Sequence, residues 1–138
     1  MKLKPLEYFP QTSKRFQLDR INLSEDSAEI FAYNDQEKYI RIFVDYIAHF
    51  QIANESYKVS KFAEFTKNPK DYDLFMNGSF FQTFDEKYKN WLIEESDGIF
   101  EGRSDDFLTY IFLFGDSVIE TACGLIPTCS GIDTSPLK

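Results

Sequence analysis

The chain has 138 residues, of which 43% are hydrophobic and 28% charged, and its formal net charge is −8. Such a composition is typical of a globular protein and excludes a disordered chain. An acidic protein without a basic stripe is repelled by phosphate backbones, so we expect no nucleic-acid partner. The longest strongly apolar stretch, residues 110–114, is far too short to cross a bilayer, so we expect no membrane partner.

The length predicts one compact domain over residues 1–138, with irregular or frayed segments at 1–12 and 130–138. Aromatic residues make up 17% of the chain, which favours a β-rich core because these side chains suit pleated, half-buried surfaces. A domain of this size needs no disulfide. We therefore predict that Cys123 and Cys129 are free and buried, and that the protein is cytoplasmic.

Two strands joined by a tight turn are predicted in the first half of the chain. Apolar side chains occupy every even position of residues 40–52, which indicates that 39–53 is one long strand with one buried face. Residues 30–33 are also strand-like, and Asn34 and Asp35 tolerate the turn between the two segments. Residues 16–23 and 57–65 are weaker strand candidates.

One helix is predicted between residues 81 and 95, because apolar residues recur there at steps of three and four. They are Phe81, Phe84, Tyr88, Trp91 and Leu92. Residues 79–82 fit a capping box at its start, residues 83–86 fit the same pattern one turn later, and Gly98 is a natural stop. The spacing predicts that Trp91 packs in the core.

A second hairpin is predicted from residues 107–114 and 117–123, which flank a turn at Gly115 and Asp116. Hairpins on both sides of the helix, in place of crossovers, predict an antiparallel arrangement. The predicted fold class is therefore α+β, a mainly antiparallel sheet built from hairpins with one principal helix packed on it.

The residues that could carry chemistry do not form a recognised motif. The single histidine, His49, is about 13 Å along an extended strand from Asp45, the nearest acid on its side, so we predict that it faces solvent. Asp71 and Asp73 begin like a calcium loop, but Phe75 stands where an oxygen ligand is needed, which leaves a plain turn. We expect no catalytic residue, no cofactor and no metal site, and so no enzyme.

A run of acidic residues near the predicted helix end is the strongest candidate for a binding site. It holds six acids against Arg103 alone, namely Glu94, Glu95, Asp97, Glu101, Asp105 and Asp106. Carboxylates at a helix C-terminus oppose the helix dipole and so cost stability. Residues that are unfavourable for the local structure are often found at functional sites. The alternative is a solvated helix end and loop.

Three stretches resemble a family of small bacterial immunity proteins associated with polymorphic or contact-dependent toxins. They are residues 50–57, residues 90–96, and residues 110–120 leading to Pro127. The resemblance implies a non-catalytic immunity protein that protects its own cell by binding and neutralising a toxin domain, often a basic nuclease whose active site an acidic surface would complement. The alternative is a housekeeping protein of unknown function that binds a small molecule or forms a homodimer.

Overall fold

The computed structural model describes residues 2–10, 15–35, 38–54, 69–84, 86–96, 99, 102 and 106–132. Within these residues the chain forms nine strands and two helices. The strands are β1 (Lys2–Pro5), β2 (Gln17–Leu23), β3 (Ala28–Tyr33), β4 (Tyr39–Val44), β5 (Ile47–Asn54), β6 (Phe80–Phe84), β7 (Leu108–Leu113), β8 (Ser117–Cys123) and β9 (Thr128–Ile132). The helices are α1 (Pro69–Asn77) and α2 (Glu86–Glu95).

The strands form two antiparallel sheets. One has five strands in the order β1-β6-β7-β8-β5, and the other has four in the order β2-β3-β4-β9. The predicted α+β class with a mainly antiparallel sheet is confirmed, as are both hairpins, β3–β4 and β7–β8. The structure differs from the prediction in two respects. It has two sheets where one was predicted, and a second helix, α1, accompanies the predicted one.

The predicted single strand over residues 39–53 is wrong, because it is divided between the two sheets. β4 pairs with β9 in the four-stranded sheet, and β5 pairs with β8 in the five-stranded sheet. Between them Tyr46 takes a positive φ of 52°, and its carbonyl accepts a hydrogen bond from the amide of Gly124. Strands that change sheet at a bend are a known way to build a corner between packed sheets. The even-position burial holds in β4 and fades beyond this corner.

The main core lies between the two sheets and consists largely of aromatic rings. Phe80 and Phe112 are fully buried, with ring centroids 6.0 Å apart, and Phe9 stacks within 6.2 Å of Phe112. The alternate residues of β3 and β4 face the same core. Gly115 lies at the β7–β8 turn against the amide end of the Gln17 side chain, which would have to move if position 115 carried a Cβ.

The other face of the five-stranded sheet carries the helices. α1 contributes Phe75 to a cluster with Leu3 and Phe81, and the carboxylate of Asp71 accepts a hydrogen bond from the Leu3 amide. Arg15 donates to the Phe75 carbonyl, which places a cation at the carbonyl end of this helix, where the helix dipole favours it. The molecule therefore has three layers: the four-stranded sheet, the five-stranded sheet and the helices.

Three local predictions from the sequence are wrong. Residues 79–84 belong to β6, so the predicted helix begins at Glu86 and neither capping box lies at its start. Residues 71–73 lie in α1, where a plain turn was expected. Trp91 is 43% exposed and is not part of the core. The first error has a physical cause, since both faces of β6 are covered and the strand shows no alternation.

Strands lie in the segments near both ends of the chain, and both cysteines are free. β1 lies within residues 1–12, and β9 reaches into residues 130–138, two segments expected to be irregular. The predicted strand at 57–65 lies outside the residues that the structure describes. Cys123 and Cys129 are free, Cys123 is buried and Cys129 partly so.

Candidate protein-binding site

Helix α2 lies on the five-stranded sheet through a small apolar contact. Leu92 packs against Phe107 and Ala122, and the ammonium of Lys89 lies 5.8 Å from the centroid of the Phe107 ring. Leu92 is the one buried residue among those of α2 that the structure describes. Much of the helix surface, including Trp91, is therefore left facing solvent.

Trp91 is held by two other rings although it is exposed. The His49 ring centroid lies 5.0 Å from that of Trp91 and 5.5 Å from that of Tyr88, both in edge-on geometry. A hydrogen bond of 2.5 Å joins His49 Nδ1 to the Tyr88 hydroxyl. Edge-to-face aromatic pairs add about 0.5–1.5 kcal/mol beyond their burial. These contacts fix the orientation of an indole that is open to solvent on its other side.

His49 does not face solvent as predicted, because α2 crosses over its strand. A register shift between Ile47 and His49 lies next to it, and the imidazole packs under Tyr88 and Trp91. Burial lowers the pKa of His49, and the negative charge of Glu120 partly opposes this by raising it. The net shift is downward from the ordinary value of 6.5, so the ring is neutral at pH 7.

Glu120 is the acid whose charge acts on His49, and the sequence pattern alone does not identify it. It lies on β8 opposite Gln51 of β5, and it is 7% exposed. The spacing along β5 offers His49 no acid within reach, whereas the charge comes from the neighbouring strand 71 positions later. A helical spacing of three between Tyr88 and Trp91 was the available signal that one helix face carries two aromatic rings.

Three of the six predicted partner-binding acids lie within the described residues. Glu94 and Glu95 are exposed in the last turn of α2, three and four residues after Trp91, and such positions are neighbours on a helix surface. Asp106 is also exposed, and the adjoining Phe107 packs on Leu92 of α2. The other three, Asp97, Glu101 and Asp105, lie outside the described residues.

The C-terminal end of α2 adds to the negative potential around Glu94 and Glu95. Ser96 satisfies two of the last carbonyls, donating from its amide to Leu92 and from its hydroxyl to Ile93. The last turn holds no basic residue to offset the negative end of the helix dipole. We call the exposed side chains of Trp91, Glu94, Glu95 and Asp106 the aromatic-acidic surface.

Comparisons with protein-family models, with curated proteins and with solved structures find no match for this chain. Among the described residues, no helix combines the length and apolar character needed to span a membrane. In the same part of the chain, no three His, Cys, Asp or Glu side chains lie close enough together to hold a metal ion.

Proposed function

We propose that the protein is a non-catalytic immunity protein that binds and neutralises a bacterial toxin domain through the aromatic-acidic surface. The observation that carries the proposal is the state of Trp91. It is 43% exposed, yet His49 and Tyr88 hold its ring in place. An oriented aromatic ring that leaves so much of its surface in solvent stabilises the fold less than a buried ring would, and its open face is available to a partner.

Such a ring is suited to a protein partner. Trp and Tyr are enriched among the few interface residues that supply most binding energy, and a ring that is already oriented loses little conformational entropy on binding. The open face of an indole also attracts Arg and Lys side chains by cation–π interaction. Trp91 therefore supplies the anchor of the interface.

The acids around Trp91 select the charge of the partner. Glu94 and Glu95 lie within one turn of it, and the whole chain carries a net charge of −8. A surface of one sign steers a partner of the opposite sign and raises its association rate at low salt. The partner is accordingly a basic domain, and a nuclease that binds anionic nucleic acid has such a surface.

The proposed place of action is the cytoplasm, where a toxin domain delivered into the cell would meet the protein. Burial raises the pKa of Cys123 to about 12 and that of Cys129 to about 11, so both free thiols are protonated at neutral pH. Buried, protonated thiols are inert. Free thiols are the usual state in a reducing compartment.

The proposal expects the neighbouring gene to encode a protein with a C-terminal toxin domain, and a neighbour without one would count against it. That domain, expressed as an inactive variant, is mixed with the purified protein in a stopped-flow instrument. We expect association to slow as salt rises, because charges separated by more than about 8 Å are screened at physiological ionic strength. Glu94→Lys combined with Glu95→Lys should slow association about tenfold or more at low salt.

A matched control changes the same charge elsewhere. Glu25 and Asp26 are exposed between β2 and β3, so Glu25→Lys with Asp26→Lys alters the net charge equally at another place. This control should keep the association rate within about threefold of the wild type. If both double variants lost association rate equally, or if Trp91→Ala still bound tightly, the aromatic-acidic surface would not be part of the interface.

A further inference from the structure

Each sheet has two edge strands, and three of the four edges carry features that block pairing with another strand. β1 holds Lys2, Lys4 and Pro5, while β2 and β5 each contain a shift of register. Charges, proline and bulges are the usual protection of sheet edges. β9 has none of them, because Thr128–Ile132 is uncharged, lacks proline and pairs in regular register with β4. In the described part of the chain, no strand pairs with its other edge.

The core side of β9 borders empty space. Cys129 and Gly131 lie opposite Ile42 and Ile40, which belong to the core, so these two residues face the interior of the sandwich. A Cβ added to Gly131 would meet no described atom within 4 Å. The two sheets are therefore not closed against each other along this edge.

A cleft of about 460 Å³ lies beside the first two residues of β9, between them and the β1 end of the other sheet. Its walls are mostly apolar, and they come from β1, the turn after it and the connection from β8 to β9. The lining includes Leu6, Phe9, Ile126, Pro127, Thr128 and Cys129. The cleft and the free edge of β9 thus share the residues Thr128 and Cys129.

Large side chains stand exposed at the rim of the cleft. Tyr8 is 94% exposed and has a positive φ of 65°, a conformation that costs a residue with a Cβ about 1–2 kcal/mol. Ile126 is 68% exposed on the connection from β8. Strained backbone and unpaired apolar side chains are features of sites that close on a ligand.

We propose that the free edge of β9 and this cleft together bind an extended peptide segment of a partner protein. The segment adds to the four-stranded sheet as a fifth strand and places large apolar side chains, two residues apart, in the cleft. Main-chain hydrogen bonds then supply affinity, and the cleft supplies specificity. This site lies on the strand edge beyond β4 and does not depend on the aromatic-acidic surface.

A second copy of the chain does not fit the same site. An antiparallel pair of β9 strands centred on Ser130 would turn Cys129 and Gly131 of the added strand toward the cleft, as in the first copy. The cleft lies beside Cys129 of the first copy, and neither a thiol nor a hydrogen atom on the added strand is large enough to fill about 460 Å³. The occupant therefore has larger apolar side chains than β9 itself.

The experiment selects binders from a phage-displayed library of random nine-residue peptides, using the full chain as bait. We expect selected peptides to alternate large apolar residues with polar ones. Gly131→Lys places a charge on the cleft side of β9, where there is room for it, and should weaken their binding about tenfold or more. Ser130→Lys adds the same charge on the opposite face and should change binding less than about threefold.

Hydrogen exchange separates strand addition from other binding. The amides of Thr128–Ile132 that point away from β4 should exchange rapidly in the free protein and at least about tenfold more slowly with a selected peptide. Peptides bound without this protection, no peptide selected, or equal losses in both lysine variants would each overturn the proposal. Slow exchange already present in the free protein would show that the edge is covered without a partner peptide and would overturn the proposal as well.

Discussion

The two faces of the five-stranded sheet are built on different principles. The face toward the four-stranded sheet is a cluster of aromatic rings, with Phe80 and Phe112 at its centre. The face toward the helices mixes apolar contacts with polar groups, including a hydrogen bond of 2.8 Å between the hydroxyls of Thr83 and Thr109. The acid Glu120 lies on this second face. Stability is concentrated on the first face, and the second can hold groups that serve binding.

The sharpest test of this contrast is Phe112→Ala. The ring is fully buried and lies between Phe9 and Phe80, so its loss leaves a cavity that rigid neighbours cannot fill. We expect the free energy of unfolding to fall by about 3–5 kcal/mol. Urea denaturation followed by circular dichroism measures it. A loss below about 1 kcal/mol would mean that the two sheets do not pack through this cluster.

Trp91→Ala should have a much smaller effect, although tryptophan is the larger residue. Because Trp91 is 43% exposed, we expect the free energy of unfolding to fall by about 1–2 kcal/mol. The same urea experiment gives the value, with Phe112→Ala as the reference. If both variants lost equal stability, the helix face would be as much a part of the core as the other face.

Reversing charge at the end of α2 should stabilise the protein while weakening partner binding. Glu94→Lys with Glu95→Lys replaces two anions at the negative end of the helix dipole with cations. We expect the free energy of unfolding to rise by about 0.5–1 kcal/mol at low salt and by less at high salt. A clear loss of stability would show that these glutamates make a contact that the fold needs.

The titration of His49 should give the smallest effect. Since the folded state lowers the pKa of His49, the stability linked to its neutral form is complete above the ordinary value of 6.5 and is lost as pH falls through the folded pKa. Its ring protons can be assigned without ambiguity in a proton NMR titration, because the chain has one histidine.

Glu120→Gln provides the matched comparison for that titration. Removing the negative charge that raises the pKa of His49 should move it further down. Asp26→Asn, an exposed change on the turn between β2 and β3, should leave it unmoved. A His49 pKa above 6.5 in the wild type, or an upward shift in Glu120→Gln, would contradict the arrangement of β5, β8 and α2.

The fold class could be predicted from the sequence because hairpins are local. Asn34 and Gly115 mark turns between segments that pair directly, and both hairpins form where they were predicted. The assignment failed at β6, where Phe80 and Phe81 are both fully buried, one toward each neighbouring layer. Burial on both faces removes the alternation of a strand, and the spacing from Phe81 to Phe84 then fits a helix equally well.

The candidate site was only partly within reach of the sequence. The run of acidic residues identified Glu94 and Glu95, because a cluster of charge along the sequence can be recognised without knowing the fold. The cluster of His49 and Trp91 depends on α2 crossing β5, and no local pattern encodes which strand a helix covers. The corner at Tyr46 was equally hidden, since a tyrosine rarely takes a positive φ and carries no turn signal there.

The order of strands has a consequence for how the chain folds as it leaves the ribosome. β1 pairs with β6, about eighty positions later, and β4 gains its second neighbour only when β9 is made. A nascent chain that ends before residue 128 therefore exposes one side of β4 and lacks part of the sheet that covers the aromatic core. Contacts so distant in sequence slow folding, and open strand edges invite aggregation. Truncation before β9 should thus yield insoluble protein, even though most of the core residues are already present.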